Sequence, residues 1–370
     1  MDSVPQEIID EIIDNLPRFS LRSSALVAKR WRKRSQQRAL DNIRFGSESV
    51  VKRYTQSDPG ETSSYVQLAQ FFNITEWENP ALFSHVLEAF NSLTTLVLSN
   101  TEIPDGMVER VSRGGLGNRV TTLYFRSIQS SLAVPMILAF QNLQILIVQN
   151  FTVTSREPPL ARPVSLRRRP LDSLRVVNCT SDAIEALVNL HLAPRRLVFD
   201  VKTANVQKLL VHSSVTVVQL VLLGMCSLCV DHKCINDDFV VLLRPAASSQ
   251  LIDLPPFPAL TSMKISGRAP VPNLISILSS ISSAPVLASI ELQCWWKFPL
   301  EPDSLNAWDC LDKWLTQMAN NTTAEGGLVL TLKRMHRNQV PEFFLPGFRR
   351  VGKINTDPSE INTSESALFG

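Results

Sequence analysis

Cys226, Cys229, His232 and Cys234 form the densest set of soft ligands in the chain, and the Cys-x-x-Cys half suits tetrahedral zinc. His232-x-Cys234 is tighter than zinc spacing and no second pair follows, so a loop with idle or buried thiols is expected, with no metal or other cofactor. The five histidines are scattered and pair with no nucleophile. No phosphate-binding G-x-x-x-x-G-K-S/T loop, nucleophile elbow, H-E-x-x-H or dinucleotide-binding G-x-G-x-x-G is present. Arg113-Gly114-Gly115-Leu116-Gly117 is glycine-rich but lacks the Lys-Ser/Thr pair that would hold phosphate and metal, and reads as a turn. Without a catalytic constellation the chain is expected to be no enzyme. Two basic runs remain. Lys29-Arg30-Trp31-Arg32-Lys33-Arg34, with Arg38, reads as the solvated face of a helix; Arg167-Arg168-Arg169, between Pro163 and Pro170, reads as a loop.

The elements that carry these residues belong to an ordinary globular chain. Of 370 residues, 44% are hydrophobic and 19% charged, enough for a large core and two or three domains. Lys and Arg exceed Asp and Glu by 37 to 34, so bulk charge makes no case for polyanion binding. The basic runs lie apart and lack interleaved aromatics, which argues against nucleic acid as a partner. Acidic residues at positions 2, 7, 10 and 11 leave no basic region for a signal peptide. The most apolar run, 215–226, falls short of the roughly 20 residues that cross a bilayer, so no membrane association is expected. Six cysteines are too sparse for a disulfide framework and read as reduced thiols of cytosol or nucleus, where the six N-x-S/T matches meet no glycosylation machinery.

The amino-terminal segment is the most informative. After Val4-Pro5-Gln6-Glu7, the apolar positions Ile8, Ile9, Ile12, Ile13 and Leu16 fall on one helical stripe, with Pro5 in the first turn and Pro17 as a stop. Leu21, Leu26, Val27, Trp31 and Leu40 continue helical spacings in a segment too short to enclose them all. Residues 4 to 45 resemble the F-box, on Pro5-Gln6-Glu7, the isoleucine stripe and Leu26-Val27-Ala28-Lys29-Arg30-Trp31, which looks like the family's L-V-x-K-x-W signature. Val4 stands where leucine is usual. The resemblance implies docking on the adaptor subunit of a cullin-based ubiquitin ligase through Pro5, Ile8, Ile9, Leu16, Leu21, Val27 and Trp31. A plainer reading makes the segment a helical cap of the following domain.

A second signal recurs downstream. Leu93-x-x-Leu96-x-Leu98, Val120-x-x-Leu123-x-Phe125, Leu143-x-x-Leu146-x-Val148 and Leu171-x-x-Leu174-x-Val176 share one period-two pattern. Weaker copies centre on 197, 220, 263 and 290. From residue 96 the steps are 27, 23, 28, 23, 23, 43 and 27, and all but one lie within the ~20–29 residues of a leucine-rich repeat. The long step implies an insertion or a degraded repeat. Position eight is small or polar in seven of eight units (Asn100, Ser127, Asn150 and Asn178 among them), as a tight exit turn prefers. Helical returns are read over 182–192 and 271–281, and Leu171 to Asp182 resembles the cysteine-containing repeat subtype of F-box proteins.

The expected fold is therefore α/β: a helical F-box over 1–45, a helical junction over 46–90, an irregular leucine-rich-repeat-like solenoid with parallel strands and outer helices over 91–335, and a carboxyl-terminal segment with mobile tail over 336–370. An open α/β sheet without true repeats is the alternative. Tyr65 to Phe72 and Pro80 to Phe90 read as helical patches, Pro302 to Met318 as an amphipathic helix before a strand at Leu328 to Leu332, and the chain beyond Gly352 as frayed. The expected function is substrate recognition in an SCF-type ubiquitin ligase, in cytoplasm or nucleus, with adaptor, cullin and a protein substrate as partners; the alternative is a repeat scaffold without ligase docking. Side chains alternating with the core leucines, namely Tyr124, Arg126, Gln149, Arg175, Asp200, Lys264 and Glu291, are the candidates for substrate contact.

Overall fold

The computed structural model describes residues 4–56, 62–79, 81–104, 106–153, 168–200, 205–223, 254–267, 278, 281, 283–294, 302–333 and 345–357. Two compact units comprise Met1–Arg162 and Pro163–Gly370. The first opens with three helices, α1 (Gln6–Asp14), α2 (Leu21–Val27) and α3 (Lys29–Leu40). Pro5, at φ −55°, sets the entry to α1, where a missing N–H costs nothing.

Strands and helices then alternate: β1 (Asn42–Phe45), α4 (Glu48–Gln56), β2 (Leu68–Phe72), α5 (Ala81–Ala89), β3 (Thr95–Ser99), α6 (Met107–Arg113), α7 (Leu116–Arg119), β4 (Thr122–Arg126), α8 (Ala133–Ala139) and β5 (Ile145–Gln149). Each strand pairs in parallel with the next, which sets Ile43, Ala69, Leu96, Leu123 and Leu146 in one row and Phe45, Phe71, Leu98, Phe125 and Val148 in another. Apart from Ile43, every member of both rows is fully buried. Phe45 stacks on Phe71 at 4.8 Å, and Phe71 meets Phe83 of α5 edge-on at 4.7 Å, so the aromatic rows join sheet to helices.

Strand exits repeat as well. Asn73, Asn100, Ser127 and Asn150 follow β2 to β5 with φ of 51°, 50°, 52° and 51°, a left-handed turn that asparagine tolerates better than most residues. The N–H groups of Asn73, Asn100 and Ser127 each donate to the last carbonyl of the next strand, at 3.1, 2.9 and 2.8 Å, and so extend the ladder by one bond.

Two features of this unit differ from expectation. Where Tyr65 to Phe72 reads as a helical patch, the structure has β2. Buried Val66, Ala69 and Phe71 followed by left-handed Asn73 reproduce the strand pattern, with alanine in the leucine position masking it. The glycine-rich stretch is no simple turn either: Gly114 caps α6 and Gly117 lies inside α7, where an added Cβ would come within 2.6 Å of the Ala139 carbonyl and 2.8 Å of that of Val111. Close backbone approach is what requires glycine there.

The second unit contains β6 (Arg169–Val177), α9 (Ser181–Asn189), β7 (Leu192–Asp200), α10 (Val206–Ser213), β8 (Gln219–Leu223), β9 (Ser262–Gly267), β10 (Ser289–Cys294), α11 (Pro302–Asn321), β11 (Val329–Lys333), α12 (Phe348–Val351) and β12 (Lys353–Asp357). From β6 to β12, each strand again pairs in parallel with its successor. Leu174, Leu197, Leu220, Met263, Ile290 and Leu330 make the buried row. Thr180 accepts a hydrogen bond from the Ala183 N–H at 3.4 Å and starts α9, and Asn178 exits β6 at φ 50°.

All eight strands read from leucine spacing are present. Leu220 pairs directly with Met263, so β8 and β9 are neighbours in the ladder despite the long step between them. Arg169 belongs to β6, not to a loop. Burial holds its guanidinium below the usual arginine range. Trp308, Leu311 and Leu315 of α11 point into the core. The chain just beyond Gly352 is not frayed: Lys353–Asp357 form β12, whose ladder begins with Lys353 N–H donating to Leu328 at 3.1 Å. Asp312 of α11 anchors this end by accepting from the N–H groups of Gly347 and Phe348, both at 2.8 Å. Of the expected return over 271–281, Leu278 and Ile281 alone are described, and both are buried; Arg167 and the set Cys226, Cys229, His232 and Cys234 lie outside the described residues.

Candidate docking surfaces

The three amino-terminal helices form a small core of their own. Ile9, Ile13 and Leu21 are buried, with Val4, Leu16, Trp31 and Ala39 packed around them. Polar contacts fasten α3 to α1. Arg34 grips Asp14 with two parallel hydrogen bonds, Nε to Oδ1 at 2.8 Å, and Arg38 reaches both Asp14 and Asp41. The hydrogen bond from Arg34 holds the Asp14 carboxyl below its ordinary range, and acceptance of that bond by Asp14 raises the Arg34 guanidinium. The basic run therefore divides: Lys29, Arg30, Arg32 and Lys33 are solvated, whereas Arg34 and Arg38 are partly buried connectors.

What this core leaves outside matters more. Ile8 is 46% exposed, Ile12 43%, Phe19 85%, Leu26 82% and Val27 58%. Among residues named for docking, Ile8, Val27 and Pro5 present themselves to solvent, Leu16 and Trp31 are half-buried, and Ile9 and Leu21 are interior. Phe19 and Leu26, the most exposed apolar side chains of the module, and Ile12 are additional members of the surface. A helical stripe is wider than the core it feeds, so spacing marks the stripe but not which edge turns inward.

The sheet positions that alternate with the core rows form the second surface. In the first unit Gln70, Val97, Tyr124 and Ile147 stand in one row, and Phe72, Ser99, Arg126 and Gln149 in the next. The Tyr124 hydroxyl donates to Gln149 Oε1, and Arg44 lies 4.3 Å over the Phe72 ring. In the second unit the row is Arg175, Val198, Val221, Lys264, Glu291 and Thr331. Glu291 accepts from Lys264 at 2.9 Å and pairs with Lys333 at 3.5 Å. Asp200, one row along, is fully buried and presents nothing to a partner. Arg196, exposed on β7, alternates with the core residues in the same way but is absent from the set read from sequence, which took Asp200 on that strand.

Comparison with known families meets this geometry at the amino terminus: residues 1–41 match the F-box domain. The helical module is an F-box. Its match ends at Asp41, one residue before β1 begins. No curated protein matches the chain. Within the F-box, Ile9, Ile13 and Leu21 hold the helices together, while the exposed Ile8, Ile12, Phe19, Leu26 and Val27 supply apolar surface.

Proposed function

We propose that the chain is the substrate receptor of an SCF-type ubiquitin ligase, in cytosol or nucleus. The F-box docks on the ligase adaptor and through it joins the cullin; the strand-and-helix region, an irregular leucine-rich-repeat array, holds the protein to be modified. The observation that carries this reading is an F-box whose core is complete and which still exposes five large apolar side chains. Full burial of such a side chain stabilises by roughly 1.5–3 kcal/mol, so a complementary protein groove gains substantially by covering them. The repeat assignment is supported by the step lengths and by the recurrent left-handed exit residue. The chain contributes proximity: it raises the local concentration of a substrate lysine near an enzyme held by other subunits.

Ile8→Asp with Ile12→Asp puts carboxylates where docking would desolvate them. Pull-down of the tagged full chain is expected to recover adaptor and cullin, and the double variant to lose at least 90% of both with an unchanged melting temperature. A wild-type pull-down lacking both subunits overturns the receptor reading and leaves a repeat scaffold.

A further inference from the structure

Resting on the receptor reading, we infer that the sheet face of the second unit binds an acidic, extended segment of the substrate, with two carboxylates flanking an apolar residue. Opposite the core, this face carries five cations, Arg175, Arg196, Lys264, Lys333 and Lys353. Three carboxylates occupy equivalent positions. Asp200 is fully buried, Glu291 is engaged by two lysines, and Asp357 stands at the end of β12. Asp172 on β6 and Arg195 on β7 are also exposed and offset each other in sign, so positive charge prevails where the face meets solvent.

Its arrangement is specific. Arg175 lies opposite Val198, so Arg196, two residues before Val198 on the same strand, is its diagonal neighbour. Such pairs lie ~7–8 Å apart. Neither guanidinium has a hydrogen bond or ion pair among the described residues, although Arg196 is exposed and Arg175 half-exposed. Beyond Arg175 the row continues through Val198 and Val221, each 7% exposed, to Lys264. Arg175 and Lys264 are three strands apart, about 14 Å at ~4.8 Å per strand. An extended peptide covers that distance in four residues at ~3.4 Å each. Acidic residues at i and i+4 therefore reach Arg175 and Lys264, and an apolar residue at i+2 lies over the valine pair. Arg196 offers the first carboxylate a second, fork-shaped donor. Lys264 shares Glu291 with Lys333 and keeps free donors for the other.

The test selects random dodecapeptides on the intact full-length chain, wild type and Arg175→Glu/Arg196→Glu, and melts both proteins. Wild type should enrich Asp or Glu four residues apart around an apolar position. The reversal should lose that enrichment at least tenfold and gain Lys or Arg at the first position, and Arg175→Lys/Arg196→Lys should keep acidic selection. No acidic enrichment, or the same enrichment on the reversed face, overturns the inference. A parallel screen of serine peptides with and without phosphate guards the choice of carboxylate, since binding only to phosphorylated peptides also overturns it. Should the reversed protein fail to melt cooperatively, Arg175→Gln/Arg196→Gln replaces it, with the same tenfold loss expected and unchanged selection overturning the inference. Adaptor recovery from the same preparations separates the two readings: peptide selection without adaptor sinks the receptor, and adaptor binding without selection sinks only the acidic face.

Discussion

Ile8 and Ile9 show how much one residue step decides. Both belong to the apolar stripe of α1, yet Ile9 is 3% exposed and Ile8 46%. Successive helical positions point about 100° apart, so neighbours on a wide stripe fall on opposite sides of a narrow core. The stripe was legible; the side that closes against Leu21 and Trp31 depends on where α2 and α3 lie. Ser127 is a second single-residue case. It adopts φ 52° at a turn where three other strands of the same unit use asparagine, and a left-handed conformation costs an ordinary L-residue ~1–2 kcal/mol. Ser127→Asn is expected to stabilise the protein by ~0.5 kcal/mol through relief of that strain, seen as a higher urea midpoint at constant m.

At the scale of elements, the eight strands of the leucine spacing and β11 could be read directly, whereas β1, β2 and β12 could not. β2 uses Ala69 in the leucine position, and β12 lies in a polar stretch whose ordering comes from pairing with β11 and from the Asp312 anchor. Local composition is silent about both, because a ladder partner supplies what the segment lacks. Gly117 is similar: its neighbours Ala139 and Val111 come from separate helices, so the need for glycine appears only when α6, α7 and α8 meet. Gly117→Ala should cost ~1–3 kcal/mol, as other overpacked sites do, and lower the thermal midpoint of the first unit. Gly115→Ala, with only the end of the Arg119 side chain nearby at 4.0 Å, should change it little.

For the molecule as a whole, recognition and ligase docking should be separable, since the F-box ends at Asp41 and the proposed peptide site starts at β6. In cells, Ile8→Asp/Ile12→Asp is expected to retain a captured substrate but leave its half-life as long as in cells lacking the protein. Arg175→Glu/Arg196→Glu should retain adaptor and lose the substrate. A translation-block chase with parallel pull-downs checks both.

Residue order alone settles the helical start, the eight leucine-patterned strands and the lack of recognised catalytic signatures, because these follow from local spacing that any folded partner must respect. It does not settle which isoleucines remain wet, that Asp200 is hidden, or that Arg175, Arg196 and Lys264 share one positive face in a chain with a net charge of only +3. Those properties depend on which strands become neighbours and in what register, and residues 175 and 264 fall in one row only because parallel pairing stacks distant segments at a fixed spacing.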